Sequence, residues 1–134
     1  MGSKNATRIE REHMGRCKRG PCMPCLVGVA IGLIPPQWAQ RGGYSDSGAP
    51  LPMMEFNHCK SGNVRRGHTK GYATCLWHHH GTQRQPPDGF THRTARERWG
   101  PSLFDDAKAF HEIFGSDDDL IEAQAFYLEH TNEC

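Results

Sequence analysis

The stretch "CLWHHHGTQ", Cys75 to Gln83, sets one cysteine two residues apart from the first of three consecutive histidines, His78, His79 and His80. Thiolate and imidazole at that spacing are donors suited to a tetrahedral zinc ion. A second pair with two intervening residues, Cys22 and Cys25 of "CMPC", lies upstream. A loop tip and the end of a hairpin can bring two such pairs together, so Cys22, Cys25, Cys75 and His78 are expected to form a closed Cys3His shell around a structural zinc. A surface histidine cluster is the plainer alternative, since 9 histidines in 134 residues make some adjacency expected. Two independent pairs outweigh it. Cys17, Cys59 and Cys134 are left over, with Cys17 a substitute ligand and Cys134 a free thiol.

Composition explains why such a staple is needed. Hydrophobic residues are 36% of the chain, against 15 glycines and 9 prolines, so the core should be small and the loops long. The length suits one domain over residues 1–134. The opening "MGSKNATRIEREHMGR" has no apolar segment of the kind that directs secretion, and no run approaches the roughly 20 apolar residues of a membrane span. A soluble protein of a reducing cytoplasm is expected, where cysteines beside histidines read as metal ligands. Net charge is +1, but all Lys and Arg except Lys108 lie at or before Arg98, and nine of the 15 acids follow it. An anionic partner such as nucleic acid would meet the first part, with the acidic tail facing away.

The coarse architecture predicted is α+β. Thr7 and Glu10 have capping-box spacing for a helix over about residues 8–16. "LVGVAIGLI" is short and broken by glycine, and residues 35–52 form a Pro/Gly/Ser loop, an excursion from the core. "MMEFNHC" and "KGYATCL" are candidate strands of a β-hairpin joined by "SGNVRRGHT", with Met54, Phe56 and His58 on one face. "LWHHHGTQRQ" reads as a helical turn or more, stopped by Pro86 and Pro87. Two helices split at Gly115 close the chain, capped through Ser102 with Asp105 and Ser116 with Asp119. Their apolar stripes are Leu103, Ala107, Phe110 and Phe114, then Leu120, Ala123, Phe126 and Tyr127.

A strand ending in histidine, a basic loop, a second strand, a zinc pair and a histidine on the following helix resemble the ββα-metal core of HNH nucleases. The motifs "EREHMGR", "CMPC", "EFNHCKSG", "RRGH", "CLWHHHG", "FTH" and "GPSLFDDAKAFHEIFGSDDDLIE" follow in an order similar to a phage-encoded group, the Ref family of recombination-enhancing nucleases that act on DNA held by a RecA filament. The resemblance covers about residues 10–122. It implies a zinc-stapled ββα-metal core with N-terminal and C-terminal helices, DNA cutting with magnesium or manganese, and a phage or prophage origin in a bacterial cell. His58 takes the place of the general base and His79 that of the helix ligand to the catalytic ion. A phosphodiester resists attack until water is deprotonated and the charge developing on phosphate is neutralised. Lys60, Arg65, Arg66 and Lys70 would lie along the DNA backbone. His68 could contact phosphate, ligate zinc or anchor its loop.

The chain departs from the family pattern at two places. The family often has two histidines where Asn57 and His58 stand, and Asn57 can ligate through its amide oxygen or orient its neighbour. Arg or Gln is more usual at His80, which is therefore expected near the ligands or exposed. His92 of "DGFTH" is the candidate third ligand of the catalytic ion. His13, His111 and His130 read as structural. Two function classes stand side by side, a metal-dependent DNA endonuclease and a non-catalytic zinc-stapled DNA-binding module, with a plain protein-interaction domain behind them.

Overall fold

The structure, a computed structural model, describes residues 6–61, 64–65, 70–86 and 89–130, apart from the side chains of 60, 61, 64 and 65. Among the described residues the fold is α+β, with six helices and two antiparallel strand pairs. The chain runs α1 (Arg8–Arg19), α2 (Met23–Ala30), β1 (Glu55–His58), β2 (Lys60–Ser61), β3 (Val64–Arg65), β4 (Gly71–Thr74), α3 (Leu76–His80), α4 (His92–Trp99), α5 (Ala107–Phe114) and α6 (Asp117–His130). β1 pairs with β4 in the register Glu55 to Thr74 and His58 to Gly71, and β2 with β3 extends the hairpin. The buried apolar residues form one cluster.

Local chemistry accounts for most element ends. Thr7 and Glu10 exchange capping hydrogen bonds of 3.1 and 2.8 Å at the start of α1, which runs to Arg19 rather than the expected Arg16 and carries Cys17 into the core. Ser116 and Asp119 exchange bonds of 3.1 Å each at the start of α6. The other expected box keeps half of its bonds, the Ser102 hydroxyl accepting from the Asp105 N–H at 3.0 Å, but it closes a turn; α5 begins later, with Asp106 accepting from the Ala109 N–H at 3.1 Å. Asp105 instead turns back on the α3 exit, where it accepts from the Thr82 N–H at 3.0 Å and the Ser102 hydroxyl at 2.9 Å. Gly81, at φ +52°, is required there, because a Cβ would collide with Asp105 and Ser102.

The loop after α2 is also less of an excursion than expected. The Gln40 carbonyl accepts from the Cys22 N–H at 2.9 Å, and the Trp38 carbonyl accepts from the Trp99 indole at 2.7 Å, so residues 35–41 lie back on the core. Helix α4 was not anticipated: only Ala95 and Trp99 of its eight residues are buried, too few to give an apolar period.

The stripe expected on α6 is corrected in part. Phe126 is 63% exposed and stacks on His130, while Leu120 and the polar Gln124 point inward. Gln124 bonds the free edge of β4: its amide oxygen accepts from the Ala73 N–H at 2.9 Å and its amide NH2 donates to the Gly71 carbonyl at 3.0 Å. One side chain thus replaces a neighbouring strand, satisfying backbone groups that are costly to bury unpaired. Gln124→Leu should therefore lower stability by about 1–3 kcal/mol for each group left unpaired, read from the midpoint of urea unfolding.

Candidate metal centre and adjoining cleft

The two ligand pairs are built by the same local device. Cys22 is the N-cap of α2 and Cys25 its third residue; Cys75 is the N-cap of α3 and His78 its third residue. In each pair the first helical turn sets the spacing, and the helix N-terminus offers N–H groups and partial positive charge to thiolate. The Cys75 sulfur accepts from the His78 N–H at 3.5 Å, fixing the second pair.

Both pairs meet in the interior. Cys22, Cys25 and His78 are fully buried and Cys75 is 4% exposed, with ligand atoms all within 4.8 Å of one another. The His78 Nε2–H donates to the Trp99 carbonyl at 2.8 Å. A carbonyl only accepts, so Nε2 carries a proton, and Nδ1, turned to the sulfurs, is the nitrogen that would ligate a metal. Nδ1 lies 3.3, 3.4 and 3.6 Å from the Sγ atoms of Cys75, Cys22 and Cys25. A tetrahedral zinc with its usual bond lengths puts nitrogen and sulfur about 3.5 Å apart. The donor set and its dimensions fit, and the group could hold a structural zinc.

Electrostatics point the same way. Burial pushes the Cys22 thiol well above the usual thiol range, and the hydrogen-bonded thiols of Cys25 and Cys75 push it further. Burial acts likewise on Cys75, but hydrogen bonds from Cys22 and Cys25 and the charge of His78 overcome it and hold Cys75 well below that range. Without a metal the cluster thus favours one ionised thiol over three, whereas a divalent cation compensates several. The other cysteines lie elsewhere: Cys17 sits 3.6 Å from the His13 Nε2, burial first among the causes pushing its pKa to about 11, and Cys59 is buried beside the Asn57 carbonyl.

Beyond His78, α3 turns toward an open cleft of about 500 Å³. Asn57, His58 and Cys59 border it from the end of β1, His79 and His80 from α3, and His111 and Asp117 from the C-terminal helices. His58 and His79, expected to act together, therefore border one cavity. Their rings have different settings. His58 lies edge-on to Phe56 at 5.0 Å and its Nε2 is buried. Asn57 and Glu55 alternate onto the other face of β1. There Glu55 Oε1 is 2.7 Å from His79 Nδ1 and 2.7 Å from His80 Nε2. Burial disfavours the Glu55 carboxylate, but the His79 hydrogen bond and the nearby His80 prevail and hold its pKa below the usual value.

His92 is not brought to this group. It opens α4 in an exposed position, and its Nε2–H donates to the Arg84 carbonyl at 3.2 Å. Among the described residues, the neighbours of His79 are instead Glu55 and His80. Glu55 was missed because one acid three residues before His58 carries no spacing signal. His111, expected to be structural, borders the cleft, its Nδ1–H donating to the Gly115 carbonyl at 2.9 Å. Lys70 is exposed; Arg66 and His68, and the side chains of Lys60 and Arg65, lie outside the described residues.

Comparison of the chain with family models, with curated proteins and with solved structures finds no match. Among the described residues, no helix is long and apolar enough to cross a membrane.

Zinc removal provides the test of this centre. Structural zinc contributes on the order of 10 kcal/mol in small zinc domains, as much as the whole stability of an ordinary domain. A strong chelator should abolish the helical circular dichroism signal, as should Cys25→Ala or Cys75→Ala, and metal analysis should find one tightly held zinc per chain. Full helicity with no zinc present would exclude the structural role.

Proposed function

We propose that the chain is a metal-dependent DNA endonuclease of the HNH type, with β1, β4 and α3 as its ββα-metal core. One observation carries the reading: the end of β1, with Asn57 and His58, and α3, with His79 and His80, border a single open cleft, and His79 follows directly on His78 of the buried Cys3His group. Zinc in that group fixes the angle between hairpin and helix on which such a cleft depends.

In this reading His79 would help hold a magnesium or manganese ion, which when bound would supply neutralisation of charge developing on the scissile phosphate, and His58 removes the proton of the attacking water. With Nε2 buried, Nδ1 is the nitrogen assigned to take that proton. Asn57 orients the base or the ion. Lys60, Arg65, Arg66 and Lys70 contact phosphates without reading sequence. Exposed Arg8, Arg11 and Arg16 of α1 and Arg93 and Arg96 of α4 supply further positive surface. The Ref-like motif order adds DNA paired within a RecA filament as a substrate, and a phage or prophage source.

The edge-on packing of His58 against Phe56 supports a second reading, a zinc-stapled DNA-binding module without catalysis. Mutagenesis separates the two. His58→Ala should keep zinc, fold and DNA affinity while cutting falls about 100-fold or more, the usual scale for a lost general base. His79→Ala should also stop cutting, with partial rescue by raised manganese that His58→Ala does not share. Supercoiled DNA, single strands and filament-bound DNA should each be tried. Binding without cutting of any of them, with either metal, would establish the non-catalytic module.

A further inference from the structure

We infer that Glu55, His79 and His80 form a second metal site, selective for a first-row transition ion over magnesium. This specifies the ion of the proposed nuclease, yet it rests on ligand geometry that stands whether or not the protein cuts DNA. The three donors come from two elements whose relative placement is set elsewhere, by strand pairing and by the Cys3His group. His79 and His80 are neighbours in sequence, yet both present a ring nitrogen 2.7 Å from the same carboxylate oxygen, with their rings 4.3 Å apart.

The far side of His80 supports ligation. Its Nδ1 lies 3.4 Å from the Gln83 amide oxygen, an acceptor that orients the ring with the proton on Nδ1. Its Nε2 is then the nitrogen turned to the Glu55 carboxylate oxygen, 2.7 Å away. Ligand atoms at right angles around a metal lie about 3.0 Å apart, so the two contacts need to open by only about 0.3 Å. Side-chain exposures of 34% for Glu55, 25% for His79 and 21% for His80 leave the group accessible to ions from solvent.

Two imidazoles and one carboxylate define the preference. Imidazole suits manganese, iron, cobalt, nickel and zinc, whereas magnesium takes oxygen donors and keeps its waters. Three protein ligands leave coordination positions for water or a phosphate oxygen. The site differs from the Cys3His group in having no sulfur and in facing solvent, so the two should load separately.

The test uses the zinc-loaded protein without nucleic acid. Titration with cobalt, followed by calorimetry and visible absorption, should show a further equivalent bound without thiolate-to-cobalt charge transfer, and excess magnesium should compete weakly. Glu55→Gln and His80→Ala should each weaken this equivalent at least tenfold while zinc content and circular dichroism stay unchanged, and Gln83→Ala should weaken it less. Absence of a further equivalent in the unmodified protein would overturn the site, as would unchanged affinity in Glu55→Gln and His80→Ala. Cobalt bound as expected with no DNA cutting overturns the nuclease reading alone; metal-dependent cutting with no loss of cobalt in either variant overturns this site alone.

Discussion

Four ionisable side chains with no access to water are the constraint on which the rest of the structure depends. Cys22, Cys25, Cys75 and His78 belong to parts of the chain fifty or more residues apart, and each pair opens a helix. Three thiols and an imidazole are a poor core on their own, because burial opposes their charge and they offer each other too few hydrogen bonds. A tetrahedral cation makes the same group a cross-link. Such an ion would tie the start of α2 to the junction of β4 and α3, while the Trp99 carbonyl, bonded to His78, brings the end of α4 against the same point.

The rest of the fold secures the helix that leaves this point. α3 has only five residues, too few to be stable alone, and it is held at both ends. Cys75 caps its start, and Asp105 bonds Thr82 just past its end, where Gly81 permits the close approach. Gln124 closes the outer edge of β4, on which the partner strand β1 depends. His78 of the buried Cys3His group and the cleft-bordering His79 are consecutive residues of the same short helix. Structural and solvent-facing chemistry are therefore separated by one helical step, about 100° around the axis.

Sequence patterns disclosed the parts of the fold governed by short-range chemistry. The C-x-x-C and C-x-x-H pairs, the Thr7 and Ser116 caps, the two strands and the break at Gly115 are each set by residues within a few positions. What was not legible depends on distant partners. Ser102 and Asp105 have the spacing of a capping box, but Asp105 finds a turn more than twenty residues upstream. Gln124 resembles a surface glutamine until β4 stands beside it, and Phe126 completes an apolar stripe that the packing of α6 leaves outside. Glu55 carries no signal as a neighbour of His79 on paper, because the pairing of β1 with β4, which carries it to α3, is a tertiary fact.

Zinc K-edge X-ray absorption on the purified protein tests the central claim most directly, because it reads the ligand shell itself. The account predicts one zinc per chain with three sulfurs at about 2.3 Å and one imidazole nitrogen at about 2.0 Å. A shell of nitrogen and oxygen alone, or cysteines found oxidised with no zinc bound, would contradict it.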